Sequence, residues 1–356
     1  MALNDLLPAV AHASSADGHP SRYRIMRRAI AGLMIVFAMT ASGAWLMHAS
    51  IDLADESSSG ATAVRHELLG SVKSWGFHVG ALDVARTASS DLDLVVMDPE
   101  EVGRRDAHAA SDALVQLKRK PSGGRRLVLA YLSIGQAESS RAYWDQRWST
   151  ALTRPTADTP HDPAVVAAPD WLAGEVPGAS GAFQVRFWDE RWQRLMFGGE
   201  RSALERIVAA GFDGVVLGHA QAWKHWAEAR RSAKADMSAL IEAISSRARA
   251  LSPGFIVVLQ NSEELLADAR VQAALDSVMK ADLLHGIDGR PKARDDNRIR
   301  KSLKYLRLAQ QSGLPVLVVE HLTDPAAIDA ARSRIESLGF VPGFAPRALD
   351  GLGWSP

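Results

Sequence analysis

Short apolar runs alternate with longer amphipathic stretches over most of the chain. The apolar runs are Trp75–Val79, Leu92–Met97, Leu127–Ser133, Phe183–Phe187, Gly214–Leu217, Phe255–Leu259, Leu275–Met279 and Pro315–Val319. Between them, stretches such as Arg201–Ala210, Met237–Leu251 and Arg298–Ser312 repeat apolar residues at helical spacing and are long enough to be crossover helices. Strand and helix in alternation predict a parallel sheet covered by helices. No G-x-G-x-x-G or P-loop follows any of the runs, so an open doubly wound sheet lacks its nucleotide signature. Eight strands without that signature favour closure into a (β/α)8 TIM barrel.

The pattern upstream is different. Ala29–Met47 is nineteen residues without a charge, about the thickness of a hydrocarbon core at helical rise. Arg22, Arg24, Arg27 and Arg28 precede it, and Asp52, Asp55 and Glu56 come after it. The positive-inside rule then leaves the N-terminus in the cytoplasm and exports the C-terminal remainder of the chain. The expected organisation is a cytoplasmic arm over 1–28, a transmembrane signal-anchor over 29–47, a small, polar and acidic linker over 48–65, and the barrel over 66–356. This puts the protein in an inner membrane with its barrel on the periplasmic or extracellular side. A cleaved signal peptide, releasing a secreted barrel, has the same charge layout, but the run is long for a signal core and no small-x-small site comes after it.

Composition narrows the function. Of the 356 residues, 47% are hydrophobic and 23% charged, enough for a large core. Lys plus Arg equals Asp plus Glu at 41 each, so no basic excess points to a nucleic-acid partner. The absence of cysteine excludes disulfides, thiolate metal sites and a cysteine nucleophile. His219 and His225 do not share a helical face and no metal motif occurs, so neither a metal nor another cofactor is expected. Ten tryptophans against four tyrosines include a group near acidic residues in the middle third (Trp144, Trp148, Trp171, Trp188, Trp192, Trp223, Trp226), which suits sugar rings as well as a core.

In a barrel of this kind, residues just past the C-terminal ends of the strands point into the functional mouth. That places Asp98 after the second run, Glu138 near the third, Gln260 and Asn261 after the sixth and Glu320 after the eighth. A lone acid in such a position also serves as a helix cap or surface ion pair. Asn261 opens NSEEL, the layout of a helix start, and capping is its expected role.

The segments LVLAYLSIGQAESSRAYW (Leu127–Trp144), DWLAGEV, FQVRFWDERW, GFDGVVL, LQNSEELL and VLVVEHL resemble, in order, glycoside hydrolase family 114, the endo-α-1,4-polygalactosaminidase-like barrels. The resemblance covers Trp75–Leu349. It implies a retaining-type barrel that cleaves α-linked, galactosamine-containing exopolysaccharide with two carboxyl groups, one as nucleophile or base and one as proton donor. The chain departs from the pattern at both. Where the family has the Asp of GFDGVYLD-x-x-D, this chain has Gly218, with Gln221 at the second Asp. Where the family has the Glu of IDGIG-x-ED, it has Ala281, followed by the retained Asp282. The first strand's aromatic and glutamine become Phe77 and His78, and GEAE becomes GQAE, with the amide of Gln136 in place of a titrating carboxyl.

The expected function is therefore a membrane-anchored, catalytically degenerate barrel, a pseudoenzyme that binds galactosamine-containing exopolysaccharide or an envelope protein. Its substrate-binding candidates are Trp75, His78, Asp98, Gln136, Glu138, Gln260 and Glu320. The alternatives are an active hydrolase with relocated acids drawn from Glu138, Glu320 and Asp282, or a structural envelope protein with a vestigial mouth. His219, beside the lost Asp, is a further candidate base.

Overall fold

The computed structural model describes residues 60–78, 83–103, 107–153, 168–285 and 296–345. The expected membrane segment and most of the linker lie outside these residues. Among the described residues no helix is long and apolar enough to cross a membrane.

Eight parallel strands form a barrel-like sheet: β1 (Trp75–His78), β2 (Leu94–Met97), β3 (Leu127–Ser133), β7 (Gly214–Gly218), β8 (Ile256–Gln260), β9 (Ser277–Ala281), β10 (Val316–Glu320) and β11 (Val341–Phe344), paired in that order. The first and last strands adjoin, since the Trp75 indole N–H donates to the Val341 carbonyl at 3.2 Å. Gly343 is required at this seam, because a Cβ there would lie 2.6 Å from the Trp75 ring.

Alternation along each strand divides the core into two layers. Phe77, Leu94, Leu129, Val258 and Met279 fill the barrel interior. Their neighbours, such as Val95, Val128, Val257 and Val318, face outward into the layer beneath the helices. Both faces are buried, which is why most of these strands read as nearly continuous apolar runs. The crossover helices include Ala203–Ala210, Ala233–Leu251 and Asp296–Gln311, close to their expected bounds. The first of them starts where the Ser202 hydroxyl accepts the Glu205 N–H and ends at Gly211, which takes a left-handed conformation (φ 92°).

Two expectations about the strands are corrected. Phe183–Phe187 is not a barrel strand. Residues Ala182–Val185 form β6, which pairs antiparallel with β4 (Gln136–Glu138) and β5 (Leu172–Glu175) in a separate three-stranded sheet inserted between β3 and β7. The eighth barrel strand is instead β11, outside the apolar runs. Glu320 therefore ends the seventh barrel strand, Gln260 the fifth, Ala281 the sixth and Gly218 the fourth.

Trp144, Trp148, Trp171 and Trp192 cluster against one another and against Phe183 of the inserted sheet. Trp144 stacks on Phe183 with ring centroids 4.5 Å apart, Trp171 packs on Trp192 at 5.1 Å, and the Trp192 indole N–H donates to the Ile134 carbonyl at 3.0 Å. Trp144, Trp171 and Trp192 are buried core residues, not exposed platforms for sugar rings.

The folded unit also begins before His66. A helix over 60–70 carries Arg65, whose guanidinium is buried against Asp276 (Nε–Oδ1 2.7 Å) at the end of the barrel where the strands start. Two further aspartates act similarly at this end. Asp93, just before β2, accepts the N–H groups of Lys73 and Ser74, and Asp213, just before β7, accepts that of Val128.

Candidate functional site

The opposite end, where the strands finish, gathers most of the sequence candidates into two neighbourhoods with different chemistry.

The first lies beside β2, β3 and β4. Asp98 follows β2, and its Oδ1 accepts the Glu100 N–H at 2.9 Å, a helix-start contact, while also meeting Arg141 Nη1 at 2.6 Å. Arg141 Nε meets Glu138 Oε2 at 2.6 Å. One guanidinium therefore binds both candidate carboxylates. Burial raises the Glu138 carboxyl above the ordinary range, against the pull of Arg141. Gln136 stands on β4 opposite Gln184, half-buried in the inserted sheet, not on a barrel strand.

Gly218 ends β7 in this neighbourhood, and its missing side chain has been replaced by a neighbour. A Cβ at Gly218 would lie 2.0 Å from the Tyr131 hydroxyl, so the phenol occupies the space that a carboxylate at this position needs. Restoring Asp at 218 therefore requires Tyr131 to move. Phe77 fixes the phenol edge-on at 5.8 Å from inside the barrel. His219 follows in a left-handed conformation (φ 57°), its Nδ1 2.9 Å from Ser133 Oγ. The Ser133 hydroxyl also lies 2.7 Å from the Gln136 carbonyl, to which it donates. Burial, with Arg141 adding to it, lowers the His219 pKa to about 4, so the ring is neutral at neutral pH.

The second neighbourhood lies between the ends of β8 and β9. Ala281 ends β9, and its N–H donates to Asn261 Oδ1 at 3.1 Å. Asn261 is thus a tie between two strand ends and not a helix cap. It takes a left-handed conformation (φ 55°), as do Ser262 (φ 51°) and Asp282 (φ 52°). With His219, four of the five left-handed non-glycine residues described follow β7, β8 or β9. Such strain persists where the surrounding structure enforces it, often at binding sites. These residues other than His219, with Gln221, Glu263 and Lys280, line a cavity of about 440 Å³.

The remaining candidates fall elsewhere or are withdrawn from the mouth. Glu320 is fully buried and accepts the N–H groups of Leu284 (2.7 Å) and His285 (3.2 Å), with His285 Nδ1 at 3.1 Å. Burial raises its pKa, and these contacts oppose the rise. Asp282, on the wall of that cavity, meets His321 Nδ1 at 2.8 Å. Gln260 and His78 are buried at the ends of their strands. Trp75 opens β1, at the far end of the barrel, and is buried at the seam; it has no face for a sugar at the mouth. Among the described residues no three His, Asp or Glu side chains converge as a metal ion requires.

Sequence reasoning missed Tyr131, Ser262 and Arg141. The spacing of Glu138 and Arg141, three apart within one motif, was the available signal for the last. Nothing local marked Tyr131 as the occupant of the Gly218 position, since the contact crosses two strands.

An eight-stranded parallel barrel with acids and amides at its strand ends is the architecture of many glycoside hydrolases, and comparison with known proteins agrees. Residues 69–356 match the family model of glycoside-hydrolase family GH114, and the chain belongs to that family. An uncharacterized protein of Deinococcus radiodurans is 32% identical over 287 residues, covering 80% of this chain and 83% of that one. A second, from Methanocaldococcus jannaschii, is 28% identical over 294 residues, 78% of this chain and 77% of its own. Among solved structures, the glycoside hydrolase domain of PelA from Pseudomonas aeruginosa shares the fold, with a TM-score of 0.57 at 18% identity over 80% of this chain and 98% of that domain.

Proposed function

We propose that this chain is a saccharide-binding member of its family that no longer cleaves its ligand. The observation that carries the reading is Tyr131 seated where a carboxylate at Gly218 would stand. Hydrolysis needs two carboxyl groups about 5–9.5 Å apart with the scissile bond between them. The position at 218 is filled, and the one at 281 is a methyl group.

Relocated acids are the weaker reading. Glu138 is held by Arg141, Asp282 by His321, and Glu320 is sealed from the mouth. A vestigial mouth is weaker too, because an open cavity with strained walls has no structural use.

The family resemblance makes galactosamine-containing exopolysaccharide the first polymer to test. The uncharged run Ala29–Met47 supports a tether in an inner membrane with the barrel on its outer side, where it would meet exported polysaccharide or an envelope protein. Incubating the full chain with partly deacetylated galactosaminogalactan while following reducing ends tests the reading. No new ends, together with calorimetrically detectable binding, is the expected result. Sustained release of reducing ends overturns it.

A further inference from the structure

The cavity between β8 and β9 is lined by groups that an uncharged wall would not need. Ser262 is 2% exposed, yet its hydroxyl has no hydrogen-bond partner. The Gln221 side-chain oxygen, also on the wall, is buried and likewise unpaired. A buried polar atom without a partner is costly, so two on one wall mark a place that a polar ligand completes. Gln221 Oε1 can only accept, which calls for a hydroxyl or N–H on the ligand; the Ser262 hydroxyl can donate or accept. Tyr305 adds a partly exposed ring on the same wall, suited to the apolar face of a sugar.

Charge decides which sugar. Lys280 is neutralised by Glu263 at 3.0 Å and Lys224 by Glu264 at 2.6 Å. Arg298 and Lys301 project from the first turns of the helix Asp296–Gln311 and line the cavity, with no carboxylate in ion-pair reach among the described residues. The remaining acid on the wall, Asp282, is held by His321. Ala281 contributes no charge where the family pattern has an acid. Among the described residues the wall carries four cations and three acids, an excess of one positive charge, with Arg298 and Lys301 outside any ion pair, a setting that attracts a carboxylate and repels an ammonium.

We propose that this cavity is a subsite for an acidic sugar, a uronate residue whose hydroxyls meet Gln221 and Ser262 and whose carboxylate meets Arg298 and Lys301. This rests on the saccharide-binding reading of the mouth and extends it to an exopolysaccharide carrying uronate as well as galactosamine.

The test is calorimetric titration of the full chain with α-1,4-linked oligogalacturonate and with oligogalactosamine of equal length. The two share linkage and ring configuration and differ in charge. The galacturonate oligomer should bind at least about tenfold more tightly at low salt, with the preference shrinking as salt rises. The double variant Arg298→Glu/Lys301→Glu, both exposed on the helix surface, should fold as wild type and lose that preference. Equal or tighter binding of oligogalactosamine, or a double variant that keeps its galacturonate affinity, overturns the subsite while leaving saccharide binding intact. Binding of neither oligomer overturns both the subsite and the function on which it rests.

Discussion

At the end of the barrel where the strands begin, Asp93, Asp213 and Asp276 each accept backbone N–H groups and each meet a cation. Asp276 accepts the Val257 N–H at 2.9 Å and pairs with buried Arg65, with Arg249 at 3.3 Å. Asp213 accepts the Val128 N–H and pairs with Lys118 at 2.7 Å, and Asp93 pairs with Lys120 at 2.8 Å. At the opposite end, four residues following β7, β8 and β9 are held left-handed, and Ser262 and Gln221 keep polar atoms without partners. Satisfied polar groups and unstrained backbone hold a fold together, whereas strain and unpaired atoms cost stability and persist only for another reason. Paired acids mark one end, and left-handed backbone with unpaired polar atoms marks the other.

The mouth itself divides along the same line. Around Gly218 the space is filled: Tyr131 takes it, and Arg141 bridges Asp98 and Glu138. Beside Ala281 a cavity is open.

The largest effect should come from the stable end. Replacing Asp276 with Ala strands a buried guanidinium and leaves the Val257 N–H unpaired, which should cost about 3–5 kcal/mol. Urea denaturation monitored by tryptophan fluorescence measures it. Asp98→Ala, at the partly exposed end of the Arg141 cluster, should cost markedly less, because Arg141 keeps Glu138. Equal losses at both positions would break the comparison.

The same division explains what the sequence disclosed. Seven of the eight barrel strands were legible because burial on both faces makes most of them nearly continuous apolar runs. The segment FQVRF misled for a reason that was visible: it alternates apolar and polar residues, a pattern more at home in an antiparallel strand than in a parallel barrel, and β6 pairs antiparallel. The eighth strand, VPGF, hid because proline and glycine argue against a strand. Its glycine is there for Trp75, a contact from the other end of the barrel sequence. At the site, the departures from the family pattern at Gly218 and Ala281 could be read residue by residue. Their surroundings could not, because the Tyr131 contact and the cavity beside Ala281 depend on which side chains converge across the barrel.

A pH titration sharpens the contrast at intermediate size. The His219 ring titrates near 6.5 when unfolded and near 4 when folded, because burial and Arg141 disfavour its charged form. Between these values the unfolded state binds more protons, so stability rises with pH across the window. The contribution is fully present above about pH 6.5 and lost as pH falls towards about 4, amounting to up to about 3 kcal/mol. His219→Gln, which cannot titrate, should flatten the dependence of the urea midpoint over that range. An unchanged slope would mean that the ring takes up its proton in the folded state and that the network with Ser133 does not hold it neutral.

The smallest expected effect runs in the opposite direction from the first. Ser262 is held at φ 51°, where an L side chain is strained, and its buried hydroxyl has no partner. Ser262→Gly removes both costs, because glycine adopts the left-handed region freely and leaves no orphaned oxygen. The greater freedom of glycine in the unfolded chain offsets part of this gain. The net result should be a stabilisation of about 0.5–1 kcal/mol, seen as a higher melting temperature in calorimetry. A change that stabilises the fold while weakening saccharide binding is the signature of a residue kept for its ligand. If Ser262→Gly instead lowers the melting temperature, the hydroxyl supports the β8 end, and the strain at this side of the mouth belongs to the fold.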